Sequence, residues 1–412
     1  MKATLRLDDL VSVGSTPHTR VGMGDLPKRL KRVLSLDDFE TEARRILPRP
    51  IFSYVAGGCE LNRSLEANRN GFRQYTWITR ILKNTSRRTL ATTFLGKEYA
   101  APFGIAPMGI CGLTAYRGDV AQACATQRAG IPMILSGASL VAMEEIARIN
   151  PDAWFQAYVP GETNRIDRLL DRVESAGFGT LVITVDTPVS GNRENNLRAG
   201  FSTPLRPSLR LAVQGIAHPH WLFGTALRTL VKHGMPHFEN AQAAVRTPIL
   251  ARSAMRDLGA RDHLSWDHFA HIRKRWPGKL VIKGILAPED AKFAQEYGAD
   301  AIIVSNHGGR QLDGATPPLL LLPRIRQAVG AHYPIMIDGG FRRGNDVLLA
   351  LALGANFVLL GRPFNYAGAV AGEAGVTHAI SILASEILRN MALIGVDRLE
   401  DLGMDRLEPA SR

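Results

Sequence analysis

The stretch AIIVSNHGGRQLDG, from Ala301 to Gly314, changes abruptly from an apolar run to a cluster of chemically reactive residues. AIIV is uninterrupted and rich in β-branched residues, as expected of a strand that is covered on both faces in a parallel sheet. His307 and Arg310 follow this strand, and they bring an imidazole that titrates near neutral pH and a guanidinium that can grip a carboxylate. Because polar groups at the carboxyl ends of barrel strands are typical of catalytic sites, the stretch predicts an active site at the end of a buried strand.

Apolar runs of the same kind recur from Pro102 onward and alternate with helical patterns, which indicates βα units and a parallel sheet. Eight such runs occur: FGIAPM, IPMILS, AWFQAYV, TLVITVD, LVIKGI, AIIVSN, PIMIDGG and NFVLLGR. The alternation alone is compatible with an open, doubly wound sheet. The eightfold count and the polar residues at most strand ends favour an α/β fold of the closed TIM (β/α)8 barrel type.

The 412-residue chain carries further segments before and within this barrel. Residues 1–34 are basic and are predicted to be a weakly structured leader, whereas Ser35 supplies a helix N-cap that is followed by acidic first-turn residues. We therefore expect one barrel domain over residues 35–412, with an N-terminal helical extension. Between about 196 and 262, roughly seventy residues replace the short βα loop expected after the fourth strand, which predicts a long insertion.

Charge and cysteine content limit the classes of partner. The net charge of +12 favours anionic partners, whether carboxylate substrates, acidic lipids or nucleic acid. The sequence has no zinc-finger spacing, RNA-binding aromatic motif or basic heptad region, so we expect no nucleic-acid partner. The three cysteines follow no metal-ligand spacing and cannot form a disulfide framework, which predicts no metal site and fits a reducing compartment. No signal peptide or run of eighteen apolar residues is evident, and we expect a cytoplasmic protein.

The insertion has a distinctive composition. Between residues 201 and 255, six arginines or lysines accompany a single acidic residue, Glu239, and aromatic and aliphatic residues are interspersed among them. This composition is typical of an interfacial amphipathic segment, and an insertion after the fourth strand leaves from the active-site side of the barrel. We therefore predict peripheral contact of residues 202–256 with the inner face of the cell membrane. A substrate lid or an oligomer contact is the alternative.

The segment SNHGGRQLD resembles the signature of the FMN-dependent α-hydroxy-acid dehydrogenases and oxidases, the family of glycolate oxidase, L-lactate dehydrogenase and mandelate dehydrogenase. The similarity extends from about Ser35 to about Leu402, and the motif sequences most resemble those of the membrane-associated lactate and mandelate dehydrogenase branch. The resemblance implies FMN as cofactor, oxidation of an L-2-hydroxy acid to its 2-oxo acid, and a homo-oligomer, a tetramer. The absence of a G-x-G-x-x-G sequence that opens a βαβ unit agrees with a flavin in place of a nicotinamide dinucleotide.

The family resemblance leaves the electron acceptor open. A dehydrogenase would pass the electrons to a quinone or another carrier, whereas an oxidase or monooxygenase would use oxygen. A flavin-binding barrel without redox activity is a third reading, but such a protein would not need a base, its carboxylate partner and two substrate arginines together.

The resemblance also assigns residues to the substrate. The carboxylate would be bound by Arg193 and Arg310, and His307 would be the base, with Asp186 stabilising the imidazolium that forms. Tyr54 and Tyr158 would hydrogen-bond the hydroxyl or the carboxylate. Two mechanisms remain open at this stage, because His307 could remove the α-proton to leave a carbanion, or the hydroxyl proton while a hydride is transferred.

A second group of residues would hold the cofactor. Lys283 would stabilise negative charge on the ring, Asp338 would bind ribityl hydroxyls, and the glycine-arginine loops after strands seven and eight would bind the phosphate. The full set implied is Pro107, Met108, Gly109, Ser136, Gln156, Thr184, Lys283, Ser305, Asp338, Gly340, Arg342, Gly361 and Arg362. Ala138 stands where glycolate oxidases carry a bulky tryptophan, so the substrate pocket is expected to admit a larger side chain than that of glycolate.

Overall fold

The computed structural model describes residues 26–202, 206, 208–240, 246–251 and 261–410. The first twenty-five residues of the predicted leader lie outside the described residues. Closer to the barrel, Leu30–Arg32 form a 3-10 helix, and Leu30 and Val33 are buried. The predicted insertion is described apart from residues 203–205, 207, 241–245 and 252–260.

An N-terminal extension of three helices precedes the barrel, in agreement with the sequence-based expectation. These helices are α1 (Leu36–Ile46), α2 (Arg49–Ala56) and α3 (Arg63–Asn70). Helix α1 begins after Ser35, whose backbone N–H donates to the Asp38 carboxylate at 2.9 Å and completes an N-terminal cap. Three short strands follow, namely β1 (Tyr75–Trp77), β2 (Thr92–Phe94) and β3 (Lys97–Tyr99), and β2 and β3 form an antiparallel hairpin.

The later strands comprise the barrel and two minor pairings. They are β4 (Phe103–Ile105), β5 (Ile134–Ser136), β6 (Trp154–Ala157), β7 (Thr180–Thr184), β8 (His237–Phe238), β9 (Thr247–Pro248), β10 (Lys279–Ile285), β11 (Ala301–Val304), β12 (Ile335–Asp338), β13 (Phe357–Leu360) and β14 (Leu407–Pro409). Strands β8 and β9 pair with each other inside the insertion, and β14 pairs with β1. The other eight strands form one sheet.

That eight-stranded sheet closes on itself. The described strands follow the order β4-β13-β12-β11-β10-β7-β6-β5, and all of their pairings are parallel. A parallel bridge between Ile105 and Met133 joins the two ends, supported by a hydrogen bond from the Ile105 N–H to the Pro132 carbonyl at 3.0 Å. The predicted (β/α)8 barrel is therefore confirmed, and each of the eight apolar runs coincides with one of its strands, although β10 begins one residue before its run.

The strand residues alternate between two apolar cores, as the period of two in a β-strand requires. In β11, Ala301 and Ile303 belong to the core inside the barrel, whereas Ile302 and Val304 belong to the core between the sheet and the helices. The β2–β3 hairpin closes one end of the barrel, since Phe94 and Tyr99 pack on the first residue of β13, Phe357. Only the opposite end, where the strands terminate, is left for a ligand.

Twelve further α-helices follow in the described part of the chain. They are α4 (Gly118–Ala129), α5 (Met143–Ile149), α6 (Thr163–Ser175), α7 (Glu194–Ala199), α8 (Leu209–Ala217), α9 (Pro219–Trp221), α10 (Arg228–His233), α11 (Trp266–Arg275), α12 (Pro288–Glu296), α13 (Pro318–Val329), α14 (Gly344–Ala352) and α15 (Arg362–Ile394). Helix α15 is the one described helix that is long and apolar enough to cross a membrane. Since 72% of its most apolar window is buried and it packs against α1 and α4, it is a core helix.

The insertion is fastened to the barrel by one face of its helical segment. Leu222–Leu227 form a π-helix that joins α9 to α10. The Trp221 indole N–H donates to the Leu113 carbonyl at 2.7 Å, and the Arg228 guanidinium lies 3.9 Å from the ring centroid of Tyr116. On the solvent side, a row of large apolar side chains is exposed: Leu209, Val213, Ile216, Phe223, Leu230 and Val231.

Candidate active site

The sequence-predicted residues converge on a cavity at the carboxyl end of the barrel. The cavity has a volume of about 360 Å³. Its lining includes most of the predicted residues, namely Tyr54, Pro107, Met108, Gly109, Tyr158, Thr184, Arg193, Lys283, His307, Arg310, Asp338, Gly340, Arg342, Gly361 and Arg362. The other four, Ser136, Gln156, Asp186 and Ser305, lie next to that lining and contact it or each other.

His307 and Asp186 form a hydrogen-bonded pair, with 2.9 Å between His307 Nδ1 and Asp186 Oδ1. Burial lowers the pKa of the imidazole, although the Asp186 carboxylate acts in the opposite direction. Burial raises the pKa of the Asp186 carboxyl, but the charges of His307 and Lys283 outweigh it and leave this pKa below its ordinary value. The pair therefore consists of a largely neutral imidazole and a fixed carboxylate, which is the arrangement of a general base and its orienting partner.

The loop after β11 aims His307 at the cavity through an unusual backbone conformation. His307, Gly308 and Gly309 all have positive φ, at 56°, 63° and 73°. A side chain at Gly309 would also collide with the backbone of Leu65, since a Cβ atom there would lie 2.5 Å from its nitrogen. The His307 N–H donates to the Ser305 hydroxyl at 3.0 Å and holds the turn. The glycines of the motif are thus required by the backbone that positions the histidine.

Lys283 and Asp338 form a buried ion pair on the floor of the cavity. The distance between Lys283 Nζ and Asp338 Oδ2 is 2.9 Å, and the ammonium also donates to the Ser305 hydroxyl at 2.7 Å. Burial lowers the pKa of the lysine, but the carboxylates of Asp338 and Asp186 outweigh that effect and leave the pKa above its ordinary value. Lys283 is therefore positively charged. It lies on strand β10, which is adjacent to β11 in the barrel.

Two arginines lie together on the substrate side. Arg193 Nε donates to the backbone carbonyl of Arg310 at 3.2 Å, and its Nη2 donates to the Gln311 side chain at 2.6 Å. The Arg310 guanidinium lies 5.0 Å from the ring centroid of Tyr54 and donates to the Gly57 carbonyl at 2.6 Å. Burial, reinforced by the charge of Arg193, lowers the pKa of Arg310 to about 9. Neighbouring, partly buried cations of this kind favour an anionic ligand between them.

Two more arginines, Arg342 and Arg362, line the cavity, and Arg362 lies close to Arg310, because both guanidiniums donate to the backbone carbonyl of Gly57. Arg362 donates to the backbone carbonyls of Val55, Gly57 and Gly308 at 2.9 to 3.0 Å. Its pKa is lowered to about 10 by burial, and burial also lowers the pKa of Arg342. Both arginines follow strands β12 and β13, where the glycine-arginine loops were predicted. Their charges and the adjoining glycine backbone suit a phosphate group.

Buried polar atoms in and beside the cavity fit a flavin. Gln156 Nε2, Thr184 Oγ1 and Asp338 Oδ1 have no hydrogen-bond partner among the described residues. Leaving such groups unpaired is costly, so they call for a polar ligand. An amide donor and a hydroxyl match the polar edge of an isoalloxazine ring, and a carboxylate oxygen matches ribityl hydroxyls. The residues present therefore fit FMN.

The sequence interpretation missed several residues that line the cavity, chiefly Thr187, Asn196, Phe238, Arg261 and Asn365. Arg261 is the most notable, because it is a buried cation whose guanidinium lies 4.7 Å from the ring centroid of Tyr158. It comes from the far end of the insertion. No local pattern in the sequence distinguishes Arg261 from the many surface arginines of this basic chain, and only the tertiary fold brings it to the cavity.

Comparison with known proteins agrees with this geometry. A sequence profile of the FMN-dependent dehydrogenases matches residues 43–409. An L-lactate dehydrogenase of Stenotrophomonas maltophilia (strain R551-3) is 40% identical over 374 residues, which cover 90% of this chain and 97% of that protein. An L-lactate dehydrogenase of Yersinia pestis (strain Pestoides F) is 39% identical over 379 residues, covering 91% and 98%.

Solved structures give the same picture. The crystal structure of the monotopic membrane protein (S)-mandelate dehydrogenase has a TM-score of 0.86 and 35% identity, covering 92% of this chain and 100% of that chain. A mandelate oxidase with (S)-2-phenylpropionate has a TM-score of 0.75 and 34% identity, covering 92% and 98%.

A closed (β/α)8 barrel whose strand ends carry a histidine–aspartate pair, a buried lysine and several arginines is typical of the flavin-dependent oxidoreductases built on this fold. Within that class, the chain belongs to the FMN-dependent dehydrogenase family, and its cofactor is FMN.

Proposed function

We propose that the protein oxidises an L-2-hydroxy acid to the 2-oxo acid and that His307 is the base. The observation that carries this proposal is the convergence of the His307–Asp186 pair with Arg193 and Arg310 on one buried cavity. The names of its relatives, L-lactate dehydrogenase and mandelate dehydrogenase, support the same reaction.

Binding of the substrate depends on the cationic side of the cavity. Arg310 and Arg193 would hold the carboxylate in a fixed orientation, since a guanidinium matches the planar geometry of a carboxylate. Tyr54 lies against Arg310, and Tyr158 lies nearer Asp186, so their phenols can hydrogen-bond the carboxylate and the hydroxyl. In this proposed arrangement the reacting carbon would lie next to His307.

Proton transfer is assigned to the imidazole. Because Asp186 binds Nδ1, Nε2 is left as the basic nitrogen that takes a proton from the substrate. The negative charge of Asp186 then stabilises the imidazolium. FMN supplies the acceptor for the two electrons when it is bound. Removal of the α-proton or of the hydroxyl proton would use these same residues.

We propose that the predicted cofactor residues bind different parts of the FMN molecule. Lys283 would hold a positive charge at the pyrimidine part of the ring, with Gln156 and Thr184 as hydrogen-bond partners and Ser136 positioning Gln156 through a 3.1 Å bond. Asp338 would bind the ribityl chain. The phosphate would be bound by Arg342 and Arg362 with the backbone of Gly340 and Gly361, while Pro107, Met108, Gly109 and Ser305 shape the ring site.

Anaerobic reduction of the bound flavin tests this function. Purified protein is mixed with glycolate, L-lactate, longer aliphatic 2-hydroxy acids or mandelate, and bleaching of the flavin absorbance is followed. We expect bleaching by at least one L-acid and none by its D-enantiomer. If no 2-hydroxy acid bleaches the flavin, the proposal is wrong and a barrel without this redox activity takes its place.

The electron acceptor is proposed to be a quinone or another carrier rather than oxygen. Two assays with the same substrate separate these alternatives, one aerobic with detection of hydrogen peroxide and one with an artificial acceptor. A dehydrogenase turns over rapidly only with the acceptor. Rapid stoichiometric peroxide formation would identify an oxidase, and an oxygenated, decarboxylated product would identify a monooxygenase.

A peripheral membrane contact through residues 202–256 is part of the proposal. The exposed apolar side chains of α8 and α10 support it, together with basic residues such as Lys232 and the description of the mandelate dehydrogenase neighbour as monotopic. Each basic residue near an anionic leaflet adds on the order of 1 kcal/mol, so several can retain a protein that has no inserted helix. Such contact would place the protein on the inner face of the membrane, near lipid-soluble quinones.

Liposome co-sedimentation tests the membrane contact. The intact protein is compared with a variant in which residues 202–256 are replaced by a short linker, with and without acidic lipid and at two salt concentrations. Only the intact protein should sediment, and only with acidic lipid. Equal behaviour of the two proteins at low salt would favour the alternative, a substrate lid or an oligomer contact.

Two further predictions concern the oligomeric state and the bounds of the barrel domain. We propose that the protein is a homo-oligomer, a tetramer, and that its barrel domain runs from residue 35 to 412 after a leader over residues 1–34. Light scattering gives the oligomeric state, and limited proteolysis of the holoenzyme shows whether cleavage before residue 35 leaves a stable, yellow core.

A further inference from the structure

We propose that Gln311 is a positioning residue, whose side-chain amide holds the Arg193 guanidinium at the place in the cavity where the substrate carboxylate binds. The inference rests on the proposed oxidation of 2-hydroxy acids, in which Arg193 and Arg310 bind that carboxylate. It deepens that proposal by assigning the residue that fixes one of the two guanidiniums. Gln311 follows Arg310 directly in the chain and lines the same cavity.

The amide of Gln311 is hydrogen-bonded at both of its ends. Its Oε1 accepts from Arg193 Nη2 at 2.6 Å, and its Nε2 donates to the backbone carbonyl of Val189 at 2.9 Å. Both partners belong to the loop that follows β7, whereas Gln311 belongs to the loop that follows β11. The side chain therefore crosses from one loop to the other and ties the guanidinium to the backbone of its own loop.

An amide is the group that this bridge requires. A guanidinium has only donors, and a backbone carbonyl only accepts, so a side chain that joins them needs an acceptor and a donor. A glutamate at position 311 would accept from Arg193 but could not donate to Val189. It would also place a negative charge beside the guanidinium that has to attract a carboxylate. The side chain of glutamine satisfies both partners and leaves the charge of Arg193 unchanged.

Arg193 needs this support because its neighbour carries the same charge. Arg193 Nε donates to the backbone carbonyl of Arg310 at 3.2 Å, so the two arginines are adjacent. Burial and, after it, the charge of Arg193 lower the pKa of Arg310 to about 9, which means that the two cations repel each other. Long side chains are costly to order, and a hydrogen bond that holds one of them beforehand lowers the cost of binding a ligand.

The backbones of the two loops are closely packed at the same place. A Cβ atom at Gly191 would lie 2.5 Å from the carbonyl oxygen of Arg310 and 2.8 Å from that of Gln311. The loops therefore meet through their backbones as well as through the Gln311 side chain. We expect loss of this side chain to affect mainly Arg193, and not the course of either loop.

The variant Gln311→Met tests the inference in the holoenzyme, because it keeps the length of the side chain but removes the amide. We expect KM for the best 2-hydroxy acid to rise about tenfold while kcat changes less than about threefold, as for loss of a hydrogen bond to a charged, partly exposed group. The Kd of the 2-oxo acid product, measured through its effect on the flavin absorbance, should rise in parallel. Gln295→Met, the same substitution at an exposed position of α12, is the matched control and should change none of these constants.

A double-mutant cycle shows whether Gln311 acts through Arg193. Arg193→Met alone should raise KM at least as much as Gln311→Met does, and adding the second substitution should change KM by less than about twofold, because the bond is already lost. Fully additive effects would overturn the proposal. Gln311→Asn is a second variant, since its amide is one methylene group too short to reach both partners, and it should raise KM as Gln311→Met does.

The pH dependence separates positioning of Arg193 from general support of the loop. Asp186, which pairs with His307 at 2.9 Å, lies in the same loop as Arg193. If Gln311 only kept that loop in shape, its loss would also disturb this pair. We expect the pH limb of kcat/KM to stay in place in Gln311→Met. A shifted limb, or a kcat that falls as far as KM rises, would show that Gln311 does not act on Arg193 specifically.

The outcomes also separate this inference from the proposed function. If no 2-hydroxy acid reduces the wild-type flavin, the proposed function fails. If the wild-type flavin is reduced but KM in Gln311→Met and Gln311→Asn stays within about twofold of the wild-type value, only the role of Gln311 is wrong.

Discussion

His307 is the residue whose substitution tests the chemistry most directly. We expect His307→Gln to lower the rate of flavin reduction by about 10² to 10⁴, because an amide keeps the size of the side chain but cannot take a proton. Flavin content and the affinity for a non-reacting substrate analogue should stay close to the wild-type values. Stopped-flow reduction gives the rate, and an activity within threefold of the wild type would show that another group is the base.

The pH dependence of kcat/KM should report the pKa of His307 in the free enzyme. Burial lowers this pKa, and the imidazole must be neutral to act, so activity should rise with pH through a limb that lies below the ordinary value of about 6.5. In Asp186→Asn the charge that favours the imidazolium is removed. The pKa must then fall further, and the limb should move to lower pH while the maximal rate decreases. A limb that moves to higher pH would contradict this electrostatic account.

Arg310→Lys should separate binding from chemistry. An ammonium keeps the positive charge but cannot form the two parallel hydrogen bonds of a guanidinium, so KM should increase at least tenfold while kcat changes less. Steady-state kinetics with the best substrate measures both constants. If kcat alone decreases, Arg310 contributes chiefly to the transition state.

Active-site residues that belong to a recognisable sequence motif could be predicted from the sequence. His307, Arg310 and the glycines lie in one continuous stretch, and His307, Gly308 and Arg310 line the cavity at the carboxyl end of the barrel. Asp186, Arg193 and Lys283 could be assigned through a family resemblance, and they do lie around the same cavity. Arg261 could not be found in this way, since it comes from an irregular insertion and reaches Tyr158 only through the tertiary fold.

Among the secondary-structure elements, the helical part of the insertion depends on a few specific contacts. Trp221→Phe keeps the aromatic ring but removes the donor to the Leu113 carbonyl, which should weaken docking of this segment by about 1 kcal/mol. Limited proteolysis should then cleave within residues 208–240 several times faster than in the wild type. Phe223→Leu changes an exposed side chain of the same segment and should not alter the cleavage rate.

The regular elements followed from local patterns, and the irregular ones did not. Each barrel strand is an apolar run with turn signals on either side, so all eight could be recognised from the sequence. The β2–β3 hairpin and the β1–β14 pair were not predicted. Each of these two pairings is only three residues long, and Tyr75 pairs with Pro409 across almost the whole chain, a contact that no local window contains.

For the whole molecule, FMN should contribute substantially to stability. Arg342 and Arg362 are cations whose pKa values are lowered by burial, and an anionic phosphate would relieve this unfavourable burial of charge. At a free FMN concentration about 100 times Kd, the free energy of unfolding should increase by about 2.7 kcal/mol. Calorimetry of the apoprotein with added FMN measures the rise in Tm.

Riboflavin is the matched control for that experiment, because it carries the same ring and ribityl chain without the phosphate. It should raise Tm much less than FMN does. Equal stabilisation by the two compounds would show that the arginines after β12 and β13 do not bind the phosphate.

Closure of the barrel has a consequence for biosynthesis. Strand β4 ends at Ile105 and pairs with β13, which begins at Phe357, so roughly 250 residues must leave the ribosome after β4 before its partner exists. At about 5 to 20 residues per second, the nascent chain would expose that unpaired strand edge for on the order of 12 to 50 seconds. An open edge made of apolar strands is a template for aggregation. Co-expression of a chaperone that shields the nascent barrel should therefore improve the recombinant yield.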